Sequence, residues 1–376
     1  MTAKEYLLDL QKKNNTYYGL QYKDYDEFRE KYLKMFHVIL NEESLKEMFL
    51  KHKSEEENLP TAYQNSLFYG YIKESIIPLE SLIRDNTHIP FYGNNILLKS
   101  VPLYGTLERS THNASVSIVN GEPLITINEG LIELLRGLSD LVSANMLYGI
   151  YDTVIQHDII RHYIDFIVCS LFYKNKPAAN LWALDNNIKE MDESFISLST
   201  DMFNSALLFV FAHEYSHYIL KHFSKQPLIL KNNFKKKNCK LQWEKEFDAD
   251  LLGMRIALSG RPFTKLIGIF MALEGCSLSE VYSFNTEDSH PSLPNRVAAI
   301  RNYAEHNNFS PIQRYAFEML IEPMAVQFKQ FLKYMTNTKR PIKDNNLDEV
   351  QRIVYHEFPI VSKTSIFSTE WEIDSK

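Results

Sequence analysis

The chain has 376 residues, of which 45% are hydrophobic and 23% are charged, with 12 glycines and 14 prolines. This composition is typical of a globular protein and excludes collagen-like, low-complexity and disordered classes. The formal net charge of −6 argues against a nucleic-acid-binding protein, which usually carries a strongly basic face.

Cysteine usage and the N-terminal segment predict an intracellular protein. The three cysteines, Cys169, Cys239 and Cys276, are few and widely spaced, so a disulfide framework is not expected. Charged residues interrupt the first 20 positions, which therefore lack the apolar core of a signal peptide. No run of 18 apolar residues occurs, so no membrane span is predicted. We therefore expect a soluble, cytoplasmic protein.

The N-terminal 95 residues are predicted to be mainly helical. Residues 25–40 and 43–51 place apolar side chains three and four positions apart among charged ones, which is the spacing of an amphipathic helix. A stretch that contains Asn, Gly and Pro at residues 85–95 is interpreted as a break between elements. We assign residues 1–95 to a helical N-terminal region.

A β-hairpin that leads into a helix is predicted in the middle of the chain. Val116 and Ile118 alternate with serines, and the pair Asn120-Gly121 that follows is a strong signal for a two-residue hairpin turn. The alternation resumes over residues 123–128. Leucines at helical spacing then indicate a helix at residues 129–141.

Most of the remaining chain is predicted to be helical. Residues 142–200 are interpreted as a helical insertion, and further helices are expected at residues 205–223, 241–259, 264–273, 292–305 and 311–335. The predicted fold class is α+β and predominantly helical, with a small antiparallel sheet. We divide the chain into the N-terminal region, a core at residues 96–310, and a helical C-terminal extension and tail at residues 311–376.

The segment from His213 to His217 has the pattern H-E-x-x-H inside an apolar helix. Residues four apart lie one turn above each other, so the two histidines point the same way and can bind one zinc ion. Glu214 lies about 100° around the helix and can reach a water on the metal without binding the metal itself. The pattern therefore predicts a hydrolytic zinc site with Glu214 as the general base.

A third zinc ligand is expected on the next helix. Glu246 can complete a His₂Glu site and leave the fourth position to water, although Glu244 and Asp248 are neighbouring alternatives. Asp250 follows Glu246 by one helical turn and is expected to accept the free N–H of a ligating histidine. Small residues at 249 and 253 would let the two helices approach closely.

A further motif, His290-Pro291, precedes Arg296 at the start of another predicted helix. An imidazole here can stabilise the oxyanion of a tetrahedral intermediate, a role that an unidentified tyrosine could also fill. His290 is equally compatible with a structural or capping role. Arg296 is interpreted as structural support that ties this segment to the core.

These three ordered motifs resemble those of gluzincin metallopeptidases of the HtpX and CAAX-prenyl-protease type. That family has H-E-x-x-H, then E-x-x-A-D on a following helix, then H-P…R. The resemblance covers residues 114–305, about half of the chain, and includes a hairpin and a Gly-Leu helix before the zinc helix. The chain departs from the membrane-embedded members in lacking a predicted span, and about 70 residues separate Gly130-Leu131 from His213. Soluble phage-exclusion peptidases of the Lit type are a looser resemblance.

The resemblance implies a gluzincin-like core that holds one Zn²⁺ per chain and hydrolyses peptide bonds. It also implies that the hairpin edge binds a protein or peptide substrate as an added strand. Two alternatives stay open. One is a catalytically silent, metalloprotease-like regulator or binding protein, against which the retained Glu214 argues. The other is a toxin or defence effector protease that acts on one host protein.

Overall fold

A computed structural model describes residues 1–15, 24–36, 42–56, 58–109, 111–144, 147, 193–223, 241–258, 265–273, 291 and 293–306. The helices in these ranges are α1 (Ala3–Asn14), α2 (Tyr25–Phe36), α3 (Glu42–Glu56), α4 (Ser66–Arg84), α5 (Glu129–Ala144), α6 (Glu193–Ile219), α7 (Leu241–Ala257), α8 (265–273) and α9 (Leu293–His306). The strands are β1 (His88–Phe91), β2 (Asn94–Leu97), β3 (Leu103–Leu107), β4 (Ala114–Val119) and β5 (Glu122–Asn128). The helical majority and the small sheets confirm the predicted α+β class.

The predicted β-hairpin is present as β4 and β5. The two strands pair antiparallel, with Val119 opposite Glu122, so Asn120 and Gly121 form the turn. Both turn residues have positive φ angles, 51° and 86°, which a two-residue hairpin turn of this type requires and which Asn and Gly tolerate. Strand β3 was not predicted. It pairs parallel with β5, so the sheet order is β3-β5-β4, and among the described strands both β3 and β4 lie at an edge.

A second hairpin, β1 with β2, lies where a break between elements was predicted at residues 85–95. Its strands pair antiparallel from His88 with Leu97 to Phe91 with Asn94. The turn residues Tyr92 and Gly93 both have positive φ angles, 46° and 76°. This hairpin crosses the boundary placed between residues 95 and 96.

Helix α6 forms the centre of the core. It is longer than predicted, because it begins at Glu193 rather than near residue 205, and it ends at Ile219. Helices α4, α5 and α7 pack around it, and strand β4 lies alongside. Helix α8 approaches very closely, since a Cβ on Gly268 would lie 2.6 Å from the Cβ of Ser205. These contacts bury apolar side chains on all sides of α6 and fix its position in the protein.

The stretch Ser194–Ile219 in α6 is, among the described helices, long and apolar enough to cross a membrane by length and composition. Its most apolar window is 67% buried inside the protein, as expected of a core helix. The absence of a membrane span stays a prediction. Most of the predicted insertion at residues 142–200 and all of the region 311–376 lie outside the described residues.

Candidate metal centre

The two histidines of the H-E-x-x-H motif lie one above the other on the inner face of α6. His213 and His217 are 8% and 7% exposed, and their Nε2 atoms are 3.2 Å apart. Because the helix is fixed on several sides by the core, the two rings project into one confined space. Their Nε2 atoms are therefore placed so that both could bind one metal ion.

Helix α7 brings the carboxylate of Glu246 to the same point. Glu246 Oε2 lies 3.5 Å from His213 Nε2, and Oε1 lies 3.7 Å from His217 Nε2. Glu244 is partly exposed and Asp248 is fully buried, and the group of described residues whose donor atoms converge contains neither of them. Of the three acidic candidates, Glu246 is the one that meets the histidines.

The donors fit a small tetrahedral cation. The three ligand atoms lie within 4.8 Å of one another, and all three side chains are buried. Nitrogen and oxygen ligands about 2.0–2.2 Å from a tetrahedral zinc ion are themselves about 3.3–3.5 Å apart, close to the separations given above. His213, His217 and Glu246 could therefore hold a metal ion.

Asp250 supports the back of this site. Its Oδ1 lies 2.9 Å from Nδ1 of His213, on the side of the ring away from Glu246. Arg296 of α9 donates two hydrogen bonds to the same carboxylate, from Nε to Oδ2 at 2.7 Å and from Nη2 to Oδ1 at 2.5 Å. Asp250 is fully buried and Arg296 is 3% exposed, so this bidentate ion pair is closed to solvent.

The charges of the metal-free site are strongly coupled. Burial alone would lower the pKa of His213, but the carboxylates of Asp250 and Glu246 outweigh it and raise this pKa to about 10. Burial would raise the pKa of Glu246, yet contacts with His213 and His217 hold it well below its usual value. Burial is likewise opposed at Asp250, whose pKa is lowered mainly by Arg296. Without a metal, the protonated ring of His213 and the guanidinium of Arg296 together balance the two carboxylates.

Glu214 lies at the border of the site. Its side chain is partly exposed, whereas the histidines on either side in the sequence motif are buried. The next residue, Tyr215, anchors the opposite side of α6, because its hydroxyl accepts a hydrogen bond from the Lys99 N–H at 2.8 Å and donates one to the Lys99 carbonyl at 2.5 Å. This anchor helps to fix the rotation of α6 about its own axis.

Sequence reasoning missed His222, which contacts the site from beyond the end of α6. Its Nδ1 lies 2.8 Å from Nδ1 of His217, and the side chain is buried with 3% exposure. Burial and the neighbouring His217 lower the pKa of His222 to about 3, so its ring is neutral. The only signal in the sequence is that His222 follows His217 by five residues, and residues five apart do not lie on one face of a helix.

The last predicted site residue, His290, lies outside the described residues, whereas Pro291 and Arg296 lie within them. The structure therefore brings together His213, His217, Glu246, Asp250 and Arg296 from three helices that are separated in the sequence.

Comparison with known proteins points to proteolysis. Residues 176–316 match a protein family described as Peptidase U49. This segment contains all the residues of the metal centre, from His213 to Arg296, and the match supports a peptidase. No curated protein and no solved structure matches the chain.

Proposed function

We propose that the protein is a zinc-dependent endopeptidase of the gluzincin type, in which His213, His217 and Glu246 hold the ion and Glu214 acts as general base. The observation that carries this proposal is the convergence of three buried donor atoms beside a partly exposed glutamate. The convergence lies within the segment that matches a peptidase family.

The donor set favours zinc as the physiological ion. Two imidazoles and one carboxylate form the ligand set of many catalytic zinc sites, which keep the fourth position open. A bound zinc ion would supply Lewis acidity, which polarises a scissile carbonyl and makes a water molecule acidic enough to attack at neutral pH. The low cysteine content of the chain agrees with nitrogen and oxygen ligands.

The side chains around the ion are proposed to have separate roles in hydrolysis. Glu214 takes the proton from the attacking water and returns it to the departing amine, for which its partial exposure gives it access. Asp250 holds the ring of His213 in place, and Arg296 keeps that carboxylate charged. His290 is proposed to stabilise the oxyanion.

Strand β4 is the proposed platform for an extended protein or peptide substrate. It is an edge strand of the three-stranded sheet and packs alongside α6. The β4–β5 turn also reaches this helix, because the Tyr218 hydroxyl donates a long hydrogen bond, 3.5 Å, to the Gly121 carbonyl. An edge strand offers unpaired backbone groups, and an extended peptide can pair with them. We propose a cytoplasmic setting, with no nucleic acid as partner.

The decisive experiment compares the parent protein with Glu214→Gln. Metal analysis should find about one zinc per chain in both proteins, and new peptide N-termini should appear only in cells that express the parent. Zinc in both proteins without cleavage would indicate a catalytically silent binding protein instead. Toxicity on expression that Glu214→Gln abolishes would indicate an effector protease acting on a host protein.

The ligand assignment has its own test. His213→Ala and His217→Ala should each remove the metal, and Glu246→Ala should weaken its binding, because each loses a donor atom. A Glu246→Ala variant that binds zinc as tightly as the parent would show that another residue is the third ligand.

A further inference from the structure

The chain reverses direction immediately after the zinc-site helix, and this reversal places His222 over His217. The N–H of Lys221 bonds to the carbonyl of Tyr218, and the N–H of His222 bonds to the carbonyl of His217, each at 3.0 Å. Lys221 has a φ angle of 55°. These features define a Schellman termination, in which one residue adopts the left-handed conformation and the chain folds back over the last turn.

A second contact holds the backbone of His222 against α7. The ammonium of Lys245 donates a hydrogen bond of 2.7 Å to the carbonyl of His222. Lys245 directly precedes Glu246 in α7. The position of His222 is therefore tied to both helices that carry proposed metal ligands.

The ring of His222 contacts the ring nitrogen of His217 that does not face the other donors. His217 directs Nε2 toward His213 and Glu246, and its Nδ1 lies 2.8 Å from Nδ1 of His222. On the other side of the His222 ring, Nε2 is buried and has no hydrogen-bond partner among the described residues.

This geometry fixes the tautomers once the site is occupied. A neutral histidine that binds a metal through Nε2 must carry its proton on Nδ1, so His217 can only donate from that atom. His222 must then accept at its own Nδ1 and carry its proton on Nε2.

We propose that His222 is a positioning residue for the metal centre, which accepts the Nδ1–H of His217 and so fixes the ring with Nε2 toward the ion. This inference rests on the proposed function. Metal-ligating histidines commonly donate their second N–H to a carboxylate, a carbonyl or water, and an imidazole takes that place here.

The two ligating histidines would then have different supports. His213 is backed by a carboxylate that is paired with Arg296, whereas His217 is backed by a neutral ring. A neutral acceptor orients His217 without adding a negative charge beside Glu246. The total charge around the ion stays more positive than it would with two carboxylate supports, which favours Lewis acidity.

Packing alone does not account for a histidine at this position. A buried ring nitrogen without a hydrogen-bond partner is unfavourable, and an apolar side chain of similar size would avoid it. The contact with His217 is the interaction that an apolar residue cannot replace.

The test uses the full chain with two substitutions, His222→Leu and His222→Asn. Leu fills the space but accepts no hydrogen bond, whereas the Asn oxygen lies near the position of the His Nδ1 atom. We expect His222→Leu to bind zinc roughly 10- to 100-fold more weakly than the parent in competition with a chromophoric chelator. His222→Asn should stay close to the parent. Thermal unfolding of the metal-free proteins controls for loss of fold.

A measurement on the zinc-loaded parent needs no substitution. Nitrogen NMR of histidine-labelled protein should show His217 protonated on Nδ1 and His222 protonated on Nε2. A proton on Nδ1 of His222 would overturn the inference, and so would equal zinc binding by folded His222→Leu and the parent. A parent protein that binds no zinc would instead overturn the proposed function, and this inference with it.

Discussion

Gly253 of α7 lies directly against the backbone of His213 in α6. A Cβ at position 253 would be 2.9 Å from the backbone nitrogen of His213 and 3.0 Å from its Cα. Real Cβ atoms do not approach backbone this closely without a shift of one helix. The distance between α6 and α7 therefore depends on the absence of a side chain at Gly253.

We expect Gly253→Ala to weaken zinc binding although it removes no ligand. The added methyl must push α7 away from His213, which carries Glu246 and Asp250 with it, and overpacking of this kind costs about 1–3 kcal/mol of folding stability. Zinc affinity and thermal unfolding measure the two effects.

Gly268→Ala is the matched control for this prediction. Its Cβ would meet Ser205 and Ala206 in α6, two turns before the histidines. Both variants should lose stability, but only Gly253→Ala should lose zinc affinity. Equal zinc affinities for Gly253→Ala and the parent would show that the helices adjust without moving the donors.

Arg296→Met should strongly destabilise the metal-free protein. The substitution removes the guanidinium that donates two hydrogen bonds to the buried carboxylate of Asp250, and breaking a buried ion pair in this way costs about 3–5 kcal/mol. Urea unfolding of metal-depleted protein measures the change. The double variant Asp250→Asn with Arg296→Met should recover part of the loss, since neither position of the former ion pair then carries a charge. A double variant less stable than Arg296→Met would contradict the ion-pair explanation.

Zinc binding near neutral pH should release about one proton from the site. The pKa of His213 in the metal-free protein is raised to about 10, so this ring is protonated at pH 7.5 and must lose the proton to bind zinc. Zinc affinity should accordingly increase as the pH rises toward 10. Calorimetry in buffers of different ionisation enthalpy counts the protons, and a binding enthalpy that is independent of the buffer would contradict this expectation.

The raised pKa of His213 also predicts how the free energy of unfolding of the metal-free protein depends on pH. The folded-state pKa of about 10 exceeds the ordinary value of 6.5, so the stabilisation is fully present below pH 6.5. It is lost progressively as the pH rises from 6.5 to 10. In the zinc-loaded protein the metal replaces this proton, and the dependence should disappear. Urea unfolding at several pH values, with and without zinc, checks the sign.

Lys221→Gly should stabilise the protein by about 1 kcal/mol without changing zinc affinity. Lys221 adopts a left-handed conformation that is unfavourable for a residue with a Cβ and is the usual position of glycine in this type of helix end. Lys221→Val should do the opposite, because a β-branched residue tolerates this conformation poorly. Chemical unfolding of both variants provides the measurement. A loss of stability in Lys221→Gly would show that the lysine side chain itself makes an important contact.

Strands with local signals were predictable from the sequence, and strands without them were not. Alternation around Asn120-Gly121 identified β4 and β5, because the turn residues tolerate positive φ. In the β1–β2 hairpin the same left-handed positions are held by Tyr92 and Gly93, and a tyrosine there gives no turn signal. Strand β3 is short, almost wholly buried and paired with a strand distant in sequence, so it shows no alternation.

The candidate metal donors could be predicted from their spacing in the sequence, whereas the residues that support them depend on tertiary structure. Helical periodicity is enough to align His213 with His217, and Glu246 with Asp250. No local pattern indicates that Arg296 reaches Asp250 from another helix, or that a chain reversal places His222 over His217. Contacts of this kind arise from helix packing and helix termination, which involve residues far apart or outside one helical face.

The tyrosine within the H-E-x-x-H motif has a consequence for strand pairing. Lys99 follows the β1–β2 hairpin, and both its N–H and its carbonyl are hydrogen-bonded to the hydroxyl of Tyr215. The N–H of Lys99 is therefore not available to pair with another strand. The Tyr215 side chain thus prevents the segment that follows β2 from pairing with the edge of another sheet at this residue. Docking of an extended polypeptide at this end of the hairpin is therefore disfavoured by the same side chain that holds α6 in place.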